Sequence, residues 1–128
     1  MANDANKILY IEDNPANMRL MVKIVGRIPG YTLISASNAE TGLELAAKEL
    51  PQIVILDINL PGMDGFEALI SLKSSAKTKH IPVLALSANA MPGDVEKGLK
   101  AGFVAYLTKP IDINEIENTI KRVVENAA

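Results

Sequence analysis

The sequence predicts an α/β fold in which a five-stranded parallel sheet is covered by helices on both faces. Short apolar runs at 8–11, 53–56, 83–86 and 103–107 are typical of buried parallel strands, and residues 31–36 alternate as a further strand. Segments with helical spacing separate these runs, so strand and helix alternate five times. At 128 residues the chain is large enough for one domain with a substantial core.

The first helix is predicted from its N-terminal signals. Asn14 is placed as the N-cap and Pro15 as the first helical residue, which is a favoured pair. Apolar residues then follow at helical spacing at Met18, Met21, Val22 and Val25. Pro29 and Gly30 are expected to end this helix before the second strand begins.

The next two helices flank the third strand. Ser37 or Asn38 can cap the second helix, and Pro51 ends it. Its inward face is predicted to consist of Leu43, Ala46, Ala47 and Leu50. The third strand then runs into Asp57, and a turn-rich loop over residues 60–65 leads to the third helix. The residues expected to face inward from that helix are Phe66, Leu69 and Ile70.

The last two helices differ in the apolar surface that they offer. The fourth, from about residue 92 to 101, has only Val95 and Leu99 at clear inward spacing. It also contains Gly93 and Gly98, and an interior glycine costs a helix about 1 kcal/mol. The fifth helix has Asp112 as its natural cap. Its apolar positions are Ile113, Ile116, Ile120 and Val123 or Val124.

The alternation of strands and helices implies right-handed crossovers and a doubly wound sheet. Two strand orders are plausible at this size, and the flavodoxin-like order 2-1-3-4-5 places the switch point between the first and third strands. Those strands end at Glu12-Asp13 and at Asp57, so this order brings the acidic residues together. We therefore predict a flavodoxin-like fold with that order.

The amino-acid composition argues against several classes of function. The formal net charge of -2 gives no indication of a nucleic-acid partner or a polybasic membrane patch. The absence of cysteine excludes disulfides and thiolate metal sites and fits a cytoplasmic protein. No apolar stretch approaches the roughly 20 residues that a membrane span needs.

Polar residues stand at the carboxyl ends of the predicted strands, where ligands bind in such sheets. Glu12, Asp13 and Asp57 would repel one another unless a cation joined them, and oxygen ligands in a small open site suit Mg²⁺. Lys109 across from a metal-bound aspartate indicates a phosphoryl group, to which the Ser87 hydroxyl can also donate. Asp57 is then the residue placed to attack phosphorus and form an acyl phosphate.

Four motifs in order resemble those of the response regulator receiver domains of two-component signalling, similar to the single-domain chemotaxis regulators. They lie at residues 11–14, 56–65, 86–88 and 106–110, and the resemblance covers residues 7–127 as one receiver domain. It implies that Asp57 accepts a phosphoryl group from the phosphohistidine of a sensor histidine kinase or a phosphotransfer protein. It also implies that the domain catalyses only its own phosphorylation and dephosphorylation and is not otherwise an enzyme.

The resemblance also assigns roles to the remaining site residues. Asp13 and Asp57 would bind Mg²⁺ directly with the backbone carbonyl of Asn59, and Glu12 would act largely through water. Lys109 would contact the phosphoryl group, and its peptide bond to Pro110 would be cis. The switch residues would be Ser87 and Tyr106. Asn59 and Asn89 would tune the rate of dephosphorylation.

We expect the fourth helix, the fifth strand and the last helix to form the face that contacts a downstream protein, because the fourth helix is weakly anchored. Three other functions compete with this one: a flavin-binding electron carrier, a phosphoaspartyl phosphohydrolase and a receiver that no longer accepts phosphate. The first loop, with Glu12 and Asp13, disfavours the flavin phosphate. The start at Met1 favours a free-standing regulator over a receiver from a hybrid kinase.

Overall fold

The computed structural model describes residues 6–60, 62–88 and 91–127. Within them the chain forms five strands and five helices in strict alternation. Their bounds are β1 Lys7–Ile11, α1 Pro15–Gly26, β2 Thr32–Ala36, α2 Ala39–Glu49, β3 Ile53–Asp57, α3 Gly65–Lys73, β4 Val83–Ser87, α4 Pro92–Ala101, β5 Ala105–Thr108 and α5 Ile113–Ala127.

The strands form one parallel sheet in the order β2-β1-β3-β4-β5, which confirms the predicted doubly wound, flavodoxin-like topology. β3 is buried along its whole length, as is β4, because helices cover both faces of the sheet. One apolar core joins the sheet to α2 and α3, and the other joins it to α1 and α5. No helix in the described part of the chain is long and apolar enough to cross a membrane.

Side-chain caps fix where the helices begin. The Oδ1 atom of Asn14 accepts a hydrogen bond from the Asn17 backbone N–H at 3.0 Å, and Pro15 is the first residue of α1, as predicted. Asn38 caps α2 in the same way, through the N–H of Thr41 at 2.8 Å. Asp112 accepts from the N–H of Glu115 ahead of α5, and Asp64 forms a capping box with α3. These caps hold the strand-to-helix loops from which the site is built.

Some predicted inward positions are wrong. Val22, Ile70 and Leu99 are exposed, because they lie at the edge of the buried face of their helices and not on it, next to the buried residues Met21, Leu69 and Gly98. Leu50 is exposed because it follows α2 as a C-cap in the left-handed conformation, with φ 49°. The first helix ends at Gly26, before the predicted breakers.

Candidate functional site

The carboxyl ends of four strands bring the predicted site residues to one edge of the sheet. Glu12 and Asp13 follow β1, Asp57 ends β3, Ser87 ends β4, and Lys109 follows β5. The parallel registers keep these strand ends level with one another. The convergence inferred from the sequence is therefore observed, with acids contributed by residues distant along the chain.

The three acids and the lysine form one cluster, which we call the carboxylate site: Glu12, Asp13, Asp57 and Lys109. The three acids each offer a carboxylate oxygen within 4.8 Å of the other two. The Lys109 ammonium lies 3.1 Å from Oε1 of Glu12 and 3.1 Å from Oδ2 of Asp57. Glu12 and Asp57 are each only 2% exposed, whereas Asp13 is exposed to solvent. The two buried carboxylates thus contact the same ammonium group, and the third acid, Asp13, forms the solvent-exposed side of the site.

Glu12 is held by several donors. Its Oε1 atom accepts a hydrogen bond from the Tyr10 hydroxyl at 2.7 Å and another from Nδ2 of Asn17 at 3.4 Å. Its Oε2 atom accepts from the backbone N–H of Asn14 at 3.3 Å. Its own backbone N–H donates to the carbonyl of Ala36, which fixes the start of the loop after β1. The buried carboxylate is therefore oriented from both the strand and the first turn of α1.

Asp57 has a partner on each oxygen. Oδ1 accepts from the backbone N–H of Asn59 at 2.9 Å, and Oδ2 faces the Lys109 ammonium. The Asn59 side chain in turn accepts from the backbone N–H of Ala88 at 3.4 Å, which joins the loop after β3 to the end of β4. The carboxylate of Asp57 is thus fixed in direction while its site stays open at the rim.

The electrostatics of the site favour a bound cation. Burial raises the pKa of Glu12, and the neighbouring Asp57 carboxylate raises it further against the lowering effect of Tyr10 and Lys109. Burial opposes the charge on Lys109, but hydrogen bonds to Asp57 and Glu12 outweigh that effect and raise its pKa. One ammonium cannot balance three carboxylates. The surplus of two negative charges and the all-oxygen donor set fit a hard divalent ion such as Mg²⁺.

The residues predicted to form a switch lie beside this site. Ser87 is fully buried, and its carbonyl accepts the backbone N–H of Lys109 at 2.8 Å. The half-buried Tyr106 ring packs against Gly98 of α4, where a β-carbon would overlap it. The peptide bond from Lys109 to Pro110 is cis, as the resemblance implied. The predicted role of Asn89 falls outside the described residues.

One member of the site was missed from the sequence. Tyr10 looked like one more apolar residue of the first strand run, yet its hydroxyl donates to Glu12. The signal that could have found it is the spacing of two residues, because side chains at i and i+2 of a strand share a face. Tyr10 therefore points to the same side of the sheet as the first acid of the site.

Fold and site together define a doubly wound α/β domain with a carboxylate and lysine site at its switch point. The family model for the response regulator receiver domain matches residues 8–121. The chain therefore belongs to that family and is a receiver domain of two-component signalling.

Individual relatives and solved structures agree with this family. The chain is 36% identical over 120 residues to the polar-differentiation response regulator DivK of Brucella anthropi, covering 94% of this chain and 97% of DivK. It is 41% identical over 107 residues to the response regulator PleD of Caulobacter vibrioides, covering 83% of this chain but only 23% of PleD. The receiver domain of the sensor histidine kinase PA1611 from Pseudomonas aeruginosa PAO1 superposes with a TM-score of 0.84 at 28% identity, covering 94% of this chain and 98% of that one. That domain was crystallised with a magnesium ion coordinated in its active-site cleft.

Proposed function

We propose that Asp57 is the phosphoacceptor of this receiver and takes its phosphoryl group from a phosphohistidine of a sensor histidine kinase or a phosphotransfer protein. The observation that carries the proposal is the Lys109 ammonium at 3.1 Å from Oδ2 of Asp57, beside the acids of the carboxylate site. A buried carboxylate with fixed direction is a ready nucleophile, and an adjacent cation can neutralise the peripheral oxygens of the incoming group.

In the transfer, a carboxylate oxygen of Asp57 bonds to phosphorus as the phosphorus–nitrogen bond to the donor imidazole breaks. The electron pair of that bond stays on the imidazole nitrogen. Lys109 would neutralise the charge that develops on the phosphoryl oxygens, and the Ser87 hydroxyl would donate a hydrogen bond to one of them. Water later attacks the acyl phosphate and restores the carboxylate, so the chain catalyses only its own phosphorylation and dephosphorylation and has no separate substrate to turn over.

The metal expected at this site is Mg²⁺. Asp13, Asp57 and the backbone carbonyl of Asn59 would hold it, and Glu12 would contact its water ligands. A bound Mg²⁺ supplies charge neutralisation and orientation for the phosphoryl oxygens. The magnesium seen in the PA1611 receiver supports this assignment.

Phosphorylation is proposed to change the face formed by α4, β5 and α5, which would contact the downstream protein. Moving a two-state element from about 1:99 to 99:1 takes roughly 5.5 kcal/mol. Charge-assisted hydrogen bonds contribute about 1.5–3 kcal/mol each, so two near the upper end of that range, or three of middle strength, are just adequate. Tyr106 of β5 contacts Gly98 of α4, and through this contact a movement that begins at Ser87 would reach α4.

The central test is intact mass measurement after incubation with acetyl phosphate and Mg²⁺. We expect the mass of one phosphoryl group to be added, to be lost on hydroxylamine treatment and to be missing in Asp57→Asn. Asp112→Asn is the matched control, since asparagine also caps helices and the change removes an exposed carboxylate of the same kind. An unmodified wild-type protein, or full labelling of Asp57→Asn, would refute the assignment of the acceptor.

The proposed output face has its own test in amide hydrogen exchange with and without beryllofluoride, a phosphoryl mimic. We expect exchange to change in α4 and β5. It should stay constant in α1, which packs on the face of the sheet opposite to α4. Equal exchange in α4 under both conditions would reject the switch while leaving phosphorylation intact.

We also place the protein in the cytoplasm, because the kinase phosphohistidine is formed where ATP is available.

A further inference from the structure

Tyr10 is a buried polar residue that the phosphoryl chemistry above does not use. Its ring is fully buried among the residues that join β1 to α1 and α5. The hydroxyl lies 2.7 Å from Oε1 of Glu12, which is itself almost wholly buried. A tyrosine in this strand could pack its ring without a polar partner only at the cost of an unsatisfied hydroxyl. The partner that it has is a member of the carboxylate site.

The two oxygens of Glu12 are not equivalent. Oε1 receives the Tyr10 hydroxyl, the Lys109 ammonium at 3.1 Å and the more distant Asn17 amide. The other oxygen receives one backbone N–H at 3.3 Å from Asn14. The tyrosine bond is the shortest of these contacts, so it fixes which carboxylate oxygen is turned toward the core.

Glutamate needs such a restraint more than aspartate does, because its carboxylate is carried on one more rotatable bond. The restraint also has to persist when other partners leave. In the proposed reaction, the Lys109 ammonium is drawn to the phosphoryl oxygens, whereas the Tyr10 ring is locked in the core. A tyrosine hydroxyl carries its proton at neutral pH, so Tyr10 can donate to Glu12 before and after the transfer.

We propose that Tyr10 is a positioning residue for the divalent metal: its hydroxyl holds Oε1 of Glu12 and thereby presents the rest of that carboxylate to the water ligands of the ion. The inference rests on the proposed function, because it assumes that the carboxylate site binds Mg²⁺. Partners that orient the groups around a metal in this way contribute strongly, and their loss typically lowers metal affinity about 10–100-fold. Because Glu12 would act through water, we expect the loss of the Tyr10 hydroxyl to lower the Mg²⁺ affinity by an amount near the lower end of that range.

The test is calorimetric titration of Mg²⁺ into metal-free protein, which measures affinity and not activity. Tyr10→Phe removes only the hydroxyl and should raise the Kd for Mg²⁺ about tenfold. Tyr31→Phe is the matched control, since it removes a hydroxyl from a half-buried ring packed on the same core. Its Kd should equal that of the wild type.

A second pair of variants separates positioning from packing. If the hydroxyl acts through Glu12, Tyr10→Phe should change the Kd of a Glu12→Gln protein much less than it changes that of the wild type, since the carboxylate it orients is gone. Tyr10→Leu gives an independent measure should the phenylalanine variant lose its cooperative melt, because leucine suits this apolar strand. It should show the same weakened binding as Tyr10→Phe.

The outcomes are distinct. A wild-type protein that does not bind Mg²⁺ overturns both the proposed function and this inference. A wild type that binds, with Tyr10→Phe binding equally well, overturns the inference alone. The same tenfold loss in the Glu12→Gln background would also overturn it, because the effect would then not pass through Glu12.

Discussion

Lys109 balances two buried acids at once. Its ammonium is equidistant from Glu12 and Asp57, at 3.1 Å from each, and its pKa is raised by those contacts. Such a cation has two separable roles: it offsets the repulsion between the two acids, and in the proposed transfer it would neutralise the phosphoryl group. A metal ion can replace the lysine in the first role, whereas in the second role the ion and the lysine would act together on the phosphoryl oxygens.

We therefore expect Lys109→Met to have opposite effects on metal binding and on phosphorylation. Without Mg²⁺ the variant should lose on the order of 3 kcal/mol of unfolding free energy, since two buried carboxylates lose their partner. It should bind Mg²⁺ more tightly than the wild type, because the site becomes more negative. Phosphorylation should slow by about 10²-fold or more. Urea unfolding, calorimetric titration and acetyl phosphate labelling measure these three quantities.

Lys77→Met is the control for this variant, because it removes an exposed loop lysine. It should leave all three quantities unchanged. Weaker Mg²⁺ binding by Lys109→Met would show that the lysine positions the metal ligands and does not merely compete with the ion.

The raised pKa of Glu12 gives the metal-free protein a defined pH dependence. An acid whose pKa is higher in the folded than in the unfolded state favours folding below its unfolded value of about 4.3, and this contribution is lost as the pH rises through the folded pKa. Mg²⁺ requires the ionised carboxylate, so the stabilisation that it provides should grow over the same window.

Thermal unfolding with and without saturating Mg²⁺, measured from about pH 5 to neutral pH, tests this expectation. The increase in melting temperature caused by Mg²⁺ should be larger near neutral pH. In the Glu12→Gln variant this increase should depend less on pH. A gain that is constant with pH in the wild type would mean that Glu12 does not change its protonation when the metal binds.

The members of the carboxylate site could be predicted because each follows a recognisable strand end. Asp57 and Lys109 needed only the strand boundaries and the strand order, which together fix the edge of the sheet. Tyr10 could not be assigned in the same way, since an aromatic residue in a buried strand is ordinarily packing. Its contact with Glu12 depends on the rotamer of the glutamate, which strand periodicity does not define.

At the scale of elements, α4 is the helix with the weakest attachment to the sheet. Its only fully buried residue is Gly98, Val95 is half-buried, and Leu99 is 48% exposed. The close approach of Gly98 to the Tyr106 ring replaces the apolar side-chain packing that anchors the other helices. A helix held by so little buried apolar surface can shift at low cost, which suits the proposed output face.

Two glycines of α4 offer a matched pair of substitutions. Gly93 has open space around it, so Gly93→Ala should stabilise the protein by up to about 1 kcal/mol through helix propensity. At Gly98 a β-carbon would overlap the Tyr106 ring, so Gly98→Ala should destabilise it by about 1–3 kcal/mol, the usual cost of overpacking. Urea unfolding of both variants makes the comparison. Equal stabilisation by both alanines would show that α4 does not rest on Tyr106.

The positions of the helices could be predicted better than their faces. Caps such as Asn14 and Asp112 are local signals, and both lie where the sequence placed them. Which apolar residues turn inward depends on how a helix is rotated against the sheet. Val22 and Ile70 lie next to buried neighbours at Met21 and Leu69, and an adjacent apolar pair does not reveal which member is buried.

For the whole molecule, the carboxylate site opposes the stability of the fold. Packing three acids around one lysine raises the free energy of the folded chain relative to a site with one acid fewer. The bound ion reverses this, because anything that binds only the folded state stabilises it by about 2.7 kcal/mol at 100 times its Kd. Because the acids come from the carboxyl ends of both β1 and β3, metal binding should change the cooperative unfolding of the entire domain.

Asp13→Asn should therefore change the stability in a direction that depends on the metal. Without Mg²⁺ the variant should be more stable than the wild type by roughly 0.5–1 kcal/mol, a modest gain because Asp13 is exposed and screened. With Mg²⁺ the wild type should be the more stable of the two proteins, because it gains the full free energy of Mg²⁺ binding whereas the variant has lost a metal ligand. Urea unfolding with and without Mg²⁺ measures both differences, and equal m-values would confirm that the same cooperative unit unfolds. A variant that is less stable in both conditions would show that Asp13 has a structural role beyond the metal, because relief of repulsion alone can only stabilise the metal-free fold.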